Sequence, residues 1–173
     1  MLRFVRQYSA KVVICLVLLT TVCGVLSLFL PMLRERAIAR ELVEAGGSVH
    51  FGYIGPNWVP TFLQDRWTHV VGIEIGDDKS MKGKLKLLGE FRHLWIIDVG
   101  DGQLSEADWQ VIVKIRRVKR IDLRGERVTD AELERLKTMS HIIWVMLQDT
   151  RTTPEGRAKL RKARPACWVA PYP

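Results

Sequence analysis

The side chains of this protein best suited to chemistry recur at a spacing of 24 residues. Glu74, Asp98 and Asp122 form one such set, flanked by Gly72, Ile96 and Arg120 two positions before and by Gly76, Gly100 and Arg124 two positions after. Carboxylates set side by side on adjacent strands, about 5 Å apart, repel one another, so the run suits a basic partner or a cation better than it suits stability. Arg120 and Arg124 are placed to neutralise Asp122 from within the chain. Trp95 and Trp144 stand near these charges, and tryptophan and arginine concentrate where proteins bind one another. Glu74, Asp98, Asp122, Trp95, Trp144, Arg120 and Arg124 are therefore the expected partner-binding residues, with an ordinary solvated face as the competing reading.

Histidine gives a second set. His69, His93 and His141 share another column of the same period, and Arg117 fills the gap. Neighbouring strands lie about 4.8 Å apart, close enough for His69 and His93 to touch one metal ion. No third ligand is placed, Arg117 repels a cation, and an exposed turn before each strand accounts for polar residues there. No metal or cofactor is expected. The sequence carries no P-loop, dinucleotide glycine pattern, H-E-x-x-H, C-x-x-C or serine elbow, so no enzyme is expected. A cation-dependent hydrolase built on the acidic column is the weaker alternative, for it lacks a nucleophile and a closed pocket.

The same period also sets the secondary structure. Apolar columns read Val70, Leu94, Val118, Ile142; then Ile73, Ile97, Ile121, Val145; then Ile75, Val99, Leu123, Leu147; and, later in each unit, Leu88, Ile112, Leu136, Leu160. Alternation with period two predicts strands near residues 72–75, 96–99, 120–123 and 144–147. Ser105, Thr129 and Thr153 precede helical patterns, Thr129 forms a capping box with Glu132, and Pro154 opens its helix, where a missing N–H costs nothing. Helices are expected near 81–89, 106–114, 130–138 and 154–163. Such a unit cannot bury its apolar face alone, so about four units stack, pairing their strands in parallel on a concave face.

Residues 70–169 resemble leucine-rich repeats. Leu94, Ile97, Val99 and Leu104 match the L-x-x-L-x-L-x-x-N/C-x-L pattern, as do Val118, Ile121, Leu123 and Val128, and Val128-Thr129-Asp130-Ala131-Glu132-Leu133 is similar to the tail of bacterial and cysteine-containing repeats. The asparagine column departs from the pattern, holding Gly102, Glu126 and Thr150. The chain as a whole resembles small membrane-anchored repeat proteins of planctomycete-type bacteria. The resemblance implies an α/β fold, a short leucine-rich-repeat solenoid behind a transmembrane helix, and leaves the molecular role open.

Both ends of the solenoid need caps. A helix is expected over 34–45, stopped by Gly46 and Gly47, then a strand over 48–53 and a helical turn over 58–63. Residues 166–169 supply a last half-strand, and Pro171 and Pro173 deny a donor to anything beyond. Cys167 is expected buried in that cap. The domain plan is a basic tail (1–11), a membrane helix (12–33), a juxtamembrane helix and cap (34–69), and repeats with their C-terminal cap (70–173).

Residues 12–33 are 22 in number and uncharged, enough at about 1.5 Å per residue to cross a hydrocarbon core of about 30 Å. A cleaved signal is disfavoured because the apolar core is long and the one small-x-small site, at Ala37 and Ala39, follows Arg34, Glu35 and Arg36. No small residue directly precedes Cys23, as a lipoprotein signal would require. Arg3, Arg6 and Lys11 on one flank tie with Arg34, Arg36 and Arg40 on the other, and the short tail without acidic residues favours the N-terminus inside, with the repeats outside the cytoplasm.

The whole sequence has 173 residues, 27 lysines and arginines, 19 aspartates and glutamates, and three cysteines. That composition is globular, and too poor in cysteine for a disulfide scaffold. The basic runs at 114–120 and 157–164 lack a nucleic-acid fold or a stacking platform, so nucleic acid is not expected as a partner. The expected function is protein–protein interaction through the concave strands. A purely structural envelope component is the alternative from another class.

Overall fold

The computed structural model describes residues 2–76, 81, 83–100 and 104–171, with the backbone alone described for residues 2–10, 28 and 171. Gly102, Pro173 and residue 82 of the expected 81–89 helix lie outside the described residues, as do the side chains of Arg3 and Arg6. The chain is mixed α/β and divides into two compact units, residues 1–36 and 37–173.

The first unit is helical. Helix α1 (Leu2–Glu44) begins in the basic segment, passes through Pro31 without a break and continues into the second unit. It is the one helix among the described residues long and apolar enough to cross a membrane, and none of its most apolar stretch is buried.

Within the second unit, the end of α1 packs Ile38, Ala39, Leu42 and Ala45 into the core, a spacing that places them on one helix face. Gly46 ends the helix with φ +87°. Its N–H donates to the Val43 carbonyl and that of Gly47 to the Leu42 carbonyl, both at 3.0 Å, the paired bonds of a Schellman stop, which needs the left-handed backbone glycine adopts freely.

The sheet has six strands in sequence order: β1 (Ser48–Tyr53), β2 (Thr68–Ile75), β3 (Ile96–Val99), β4 (Arg120–Arg124), β5 (Trp144–Gln148) and β6 (Trp168–Pro171). Strand β1 is antiparallel to β2, and every later neighbour is parallel. Each parallel pair sits in a register of 24 residues: Ile73 faces Ile97, Ile97 faces Ile121, Ile121 faces Val145, and Val145 faces Val169. Strand β2 starts four residues earlier than the alternation predicts because β1 gives its first half a partner.

Helices α2 (Glu106–Ile112), α3 (Asp130–Leu136) and α4 (Pro154–Ala163) fall where expected, the first two ending two residues early. The region expected as helix 81–89 is instead a 3-10 helix, Leu85–Glu90. Lys84 stands at its N-cap without a side-chain capping bond, and Gly89 lies inside it, so it lacks the cap and carries a residue that weakens an α-helix. The turn expected over 58–63 is displaced to a 3-10 helix at Thr61–Trp67 with Pro60 at its N-cap, since proline forces the residue before it out of helical geometry. The last strand starts at Trp168 rather than 166, because Cys167 N–H closes a turn onto the Arg164 carbonyl at 3.0 Å.

One face of every parallel strand is sealed. Ile73, Ile97, Ile121, Leu123 and Val145 are fully buried together with Leu88, Ile112, Leu136 and Leu160 from the covering segments, each side chain contributing about 1.5–3 kcal/mol of burial. The other face is open, and it carries the residues of interest.

Candidate functional site

The open face is laid out in rows by the strand register. Glu74, Asp98, Asp122, Met146 and Ala170 form one row, and Gly72, Ile96, Arg120, Trp144 and Trp168 the row before it. All seven residues expected from sequence as partner-binding lie on this face or at its rim. Alternation puts the strand residues there: their neighbours are the buried isoleucines, leucines and valines, and a strand turns successive side chains to opposite sides. Trp95 stands one residue before β3, outside that alternation.

The charges form two pairings. Arg120 grips Asp122 with two parallel bonds, Nε to Oδ1 and Nη2 to Oδ2, each at 2.7 Å. Arg124 does not join them. It reaches across β3 instead, donating from Nε to Asp98 Oδ1 at 2.9 Å, from Nη2 to Asp98 Oδ2, and from Nη2 to Glu74 Oε1 at 3.1 Å. The expectation that both arginines neutralise Asp122 is therefore corrected: Arg120 fills that carboxylate's bidentate position, and Arg124 serves the two carboxylates left over. Three carboxylates face two guanidinium groups. Burial pushes the Asp98 carboxyl up, with Asp122 and Glu74 adding repulsion, against the opposing pull of Arg124.

Beside the charges lies an aromatic cluster. The rings of Trp95 and Trp144 meet edge to face with centroids 6.5 Å apart. Trp95 is fixed at the mouth of β3 by its N–H on the Val71 carbonyl (3.0 Å), while its own carbonyl accepts from Lys119 (2.9 Å) and Arg120 (3.0 Å). Trp168 pairs in register with Trp144 and extends the row. Trp95 and Trp144 are each 39% exposed and Trp168 58%, a large apolar area left uncovered. Trp168 was not among the expected residues, although it stands 24 positions after Trp144, so the period itself was the signal.

The histidines separate. The His69 and His93 rings touch at a 48° tilt with centroids 4.4 Å apart. His141 is drawn inward, its ring bonded to the Ile115 backbone and surrounded by Lys119, Arg116 and Arg164, with Nε2 buried and unpartnered. His141 thus lies in the expected turn but is half-buried rather than exposed. Burial first, and those cations second, hold its pKa below the usual histidine value. Among the described residues no three His, Cys, Asp or Glu side chains are grouped to hold a metal ion.

A cleft of about 220 Å³ opens beyond the ends of β3 and β4, lined by Val99, Leu104, Trp109, Leu123, Arg127, Val128 and Glu132. Glu132, its carboxylate, is occupied by the Thr129 backbone and hydroxyl and by Arg135. Cys167 is buried, and burial pushes its thiol pKa up, the opposite of what a nucleophile needs. In the expected asparagine column, Glu126 pairs with Arg151 at 2.7 Å and the Thr150 hydroxyl bonds that of Thr152 at 2.9 Å.

No family model and no curated protein matches this chain.

Proposed function

We propose that the protein is a membrane-anchored leucine-rich-repeat module that binds another protein through its open, concave strand face. The observation that carries the reading is the exposed cluster of Trp95, Trp144 and Trp168 beside the Arg120–Asp122 pair. Rigid aromatic surface next to an ordered arginine loses little entropy on binding and gains much from desolvation. The 24-residue register across β2 to β6 supports stacked repeats. The unburied apolar stretch of α1 supports a single-pass anchor, with the N-terminus inside and the repeat unit outside the cytoplasm. The partner is a protein, neither nucleic acid nor a cofactor.

Replacing Trp95→Ser with Trp144→Ser tests this. Recovery of the crosslinked partner should fall about tenfold or more, while the far-ultraviolet circular dichroism and the urea midpoint stay as in the native chain. Undiminished recovery overturns the reading.

The internal neutralisation of Glu74, Asp98 and Asp122 favours a second reading, a structural envelope component with an inert face. That reading predicts silence for the tryptophan pair and loss of function on deleting residues 12–33.

A further inference from the structure

The loop between β1 and β2 presents the largest exposed aromatic surface outside the strand face. Trp58 is 80% exposed and Phe62 81%, with Leu63 at 50% and Ile54 at 44%. The loop is closed and braced. Ile54 N–H donates to the Trp67 carbonyl at 2.9 Å, joining its ends, and Val59 and Leu63 N–H donate to Pro56 and Pro60 at 3.1 and 2.9 Å. The Gln64 side chain bonds the Val59 carbonyl at 3.0 Å, and the Val59 side chain is buried beneath. Trp58 and Phe62 are thus held out from an ordered backbone.

The composition around them is as distinctive as their exposure. No lysine, arginine, aspartate or glutamate occurs between Glu44 and Asp65, in a chain 27% charged. A water-facing surface of this protein is otherwise dense with charge, as on α4, where Arg157, Lys159, Arg161 and Lys162 follow within one element. The part of the loop that carries the rings, residues 54–64, is thus charge-free, with Asp65 and Arg66 only at its far end. It fits the boundary between lipid headgroups and acyl chains, where an aromatic ring sits well and a charge does not. The loop is also tethered to such a boundary: Ile54 follows Leu33, the end of the uncharged run, by 21 residues, and a short tether raises the effective concentration of lipid at the loop.

We infer that residues 54–64 of this loop form a second membrane contact, seating Trp58 and Phe62 in the lipid interface, an inference that rests on the reading of α1 as a bilayer anchor. The loop then limits the freedom of the folded unit above the membrane.

Spin labels read this directly in the full chain, reconstituted into phosphatidylcholine–phosphatidylglycerol vesicles after Cys15→Ser, Cys23→Ser and Cys167→Ala. Labels go one at a time on Phe62→Cys, Leu19→Cys in α1 and Lys159→Cys on α4. Phe62 is so exposed that a label there leaves the loop's hydrogen bonds in place. The labels at 62 and 19 should collide several-fold more with oxygen than with a water-soluble nickel chelate, and the label at 159 should do the reverse. A label at 62 that behaves like 159 while 19 stays oxygen-accessible overturns the inference and leaves the anchor standing. A label at 62 shielded from both reagents also overturns it, by showing a protein cover. Nickel access at 19 overturns the anchor itself.

Discussion

Arg124 ties three strands together through one guanidinium group, from β4 to Asp98 on β3 and Glu74 on β2. Its removal leaves Glu74, Asp98 and Asp122 in register with only Arg120 among them. Arg124→Gln should therefore cost about 1–2 kcal/mol near neutral pH, a figure between an exposed pair and a buried one. Without Arg124 the folded-state pKa of Asp98 rises further above its unfolded value of 3.8, so its ionised form destabilises the fold and the deficit should shrink as pH falls toward 4. Urea titrations of both chains in detergent at pH 7 and pH 4.5 check the size and the trend. His141 has the opposite dependence. Its folded pKa lies below the usual 6.5, so below that value the unfolded chain binds a proton that the folded chain refuses. Stability present at pH 8 is lost as the pH falls through 6.5, and His141→Gln should flatten that part of the urea-midpoint profile. The acidic column and Trp144 were legible in the sequence because strand alternation dictates sidedness, whereas Trp95 stands just before β3, where alternation does not reach. The partner of Arg124 was not legible, because an arginine arm reaches across strands and periodicity carries no information about where it ends.

At the scale of elements, caps decide where helices begin. Ser105 and Asp108 form a full capping box on α2, as do Thr129 and Glu132 on α3, and Thr153 bonds the Gly156 N–H at 3.0 Å on α4. Successive units are also latched. Asp130 accepts from the Thr153 N–H at 2.8 Å and from its hydroxyl at 2.6 Å, bonds that draw the Asp130 pKa down. A methyl group at Gly156 would strike the Asp130 carboxylate. Alanine is normally the better helix former by about 1 kcal/mol, yet Gly156→Ala should lower the urea midpoint because it breaks the latch. A raised urea midpoint for that variant would show the latch to be dispensable. Strands and capped helices were readable because each rests on a local signal repeated at every unit. The 3-10 segments were not: Lys84 supplies no cap and Pro60 displaces the turn, and both outcomes depend on competition among weak local terms. The left-handed turn after β5 was also missed. Asp149 holds φ +53° one period after Gly125 at +98°, a conformation that aspartate tolerates better than most side chains do.

For the whole molecule, the reading as stacked repeats makes the 24-residue period a unit of folding. Excising residues 106–129 joins Ser105 to Asp130, keeps a Ser-x-x-Glu capping box with Glu132, and brings β3 against β5 in unbroken register. That chain should fold cooperatively, with a smaller urea m-value because less surface is exposed on unfolding. Excising residues 118–129, half a period, should leave it unfolded, since strand would be set against helix. Comparable circular dichroism and unfolding for the two deletions would count against stacked repeats. Binding of a protein at the open strand face is read by site-specific photocrosslinking in cells. A photoreactive residue at Met146, in the row beside Trp144, should yield an adduct of one defined mass, and the same residue at Lys159 on α4 should yield none. No adduct at 146, or the same adducts from both positions, would contradict it.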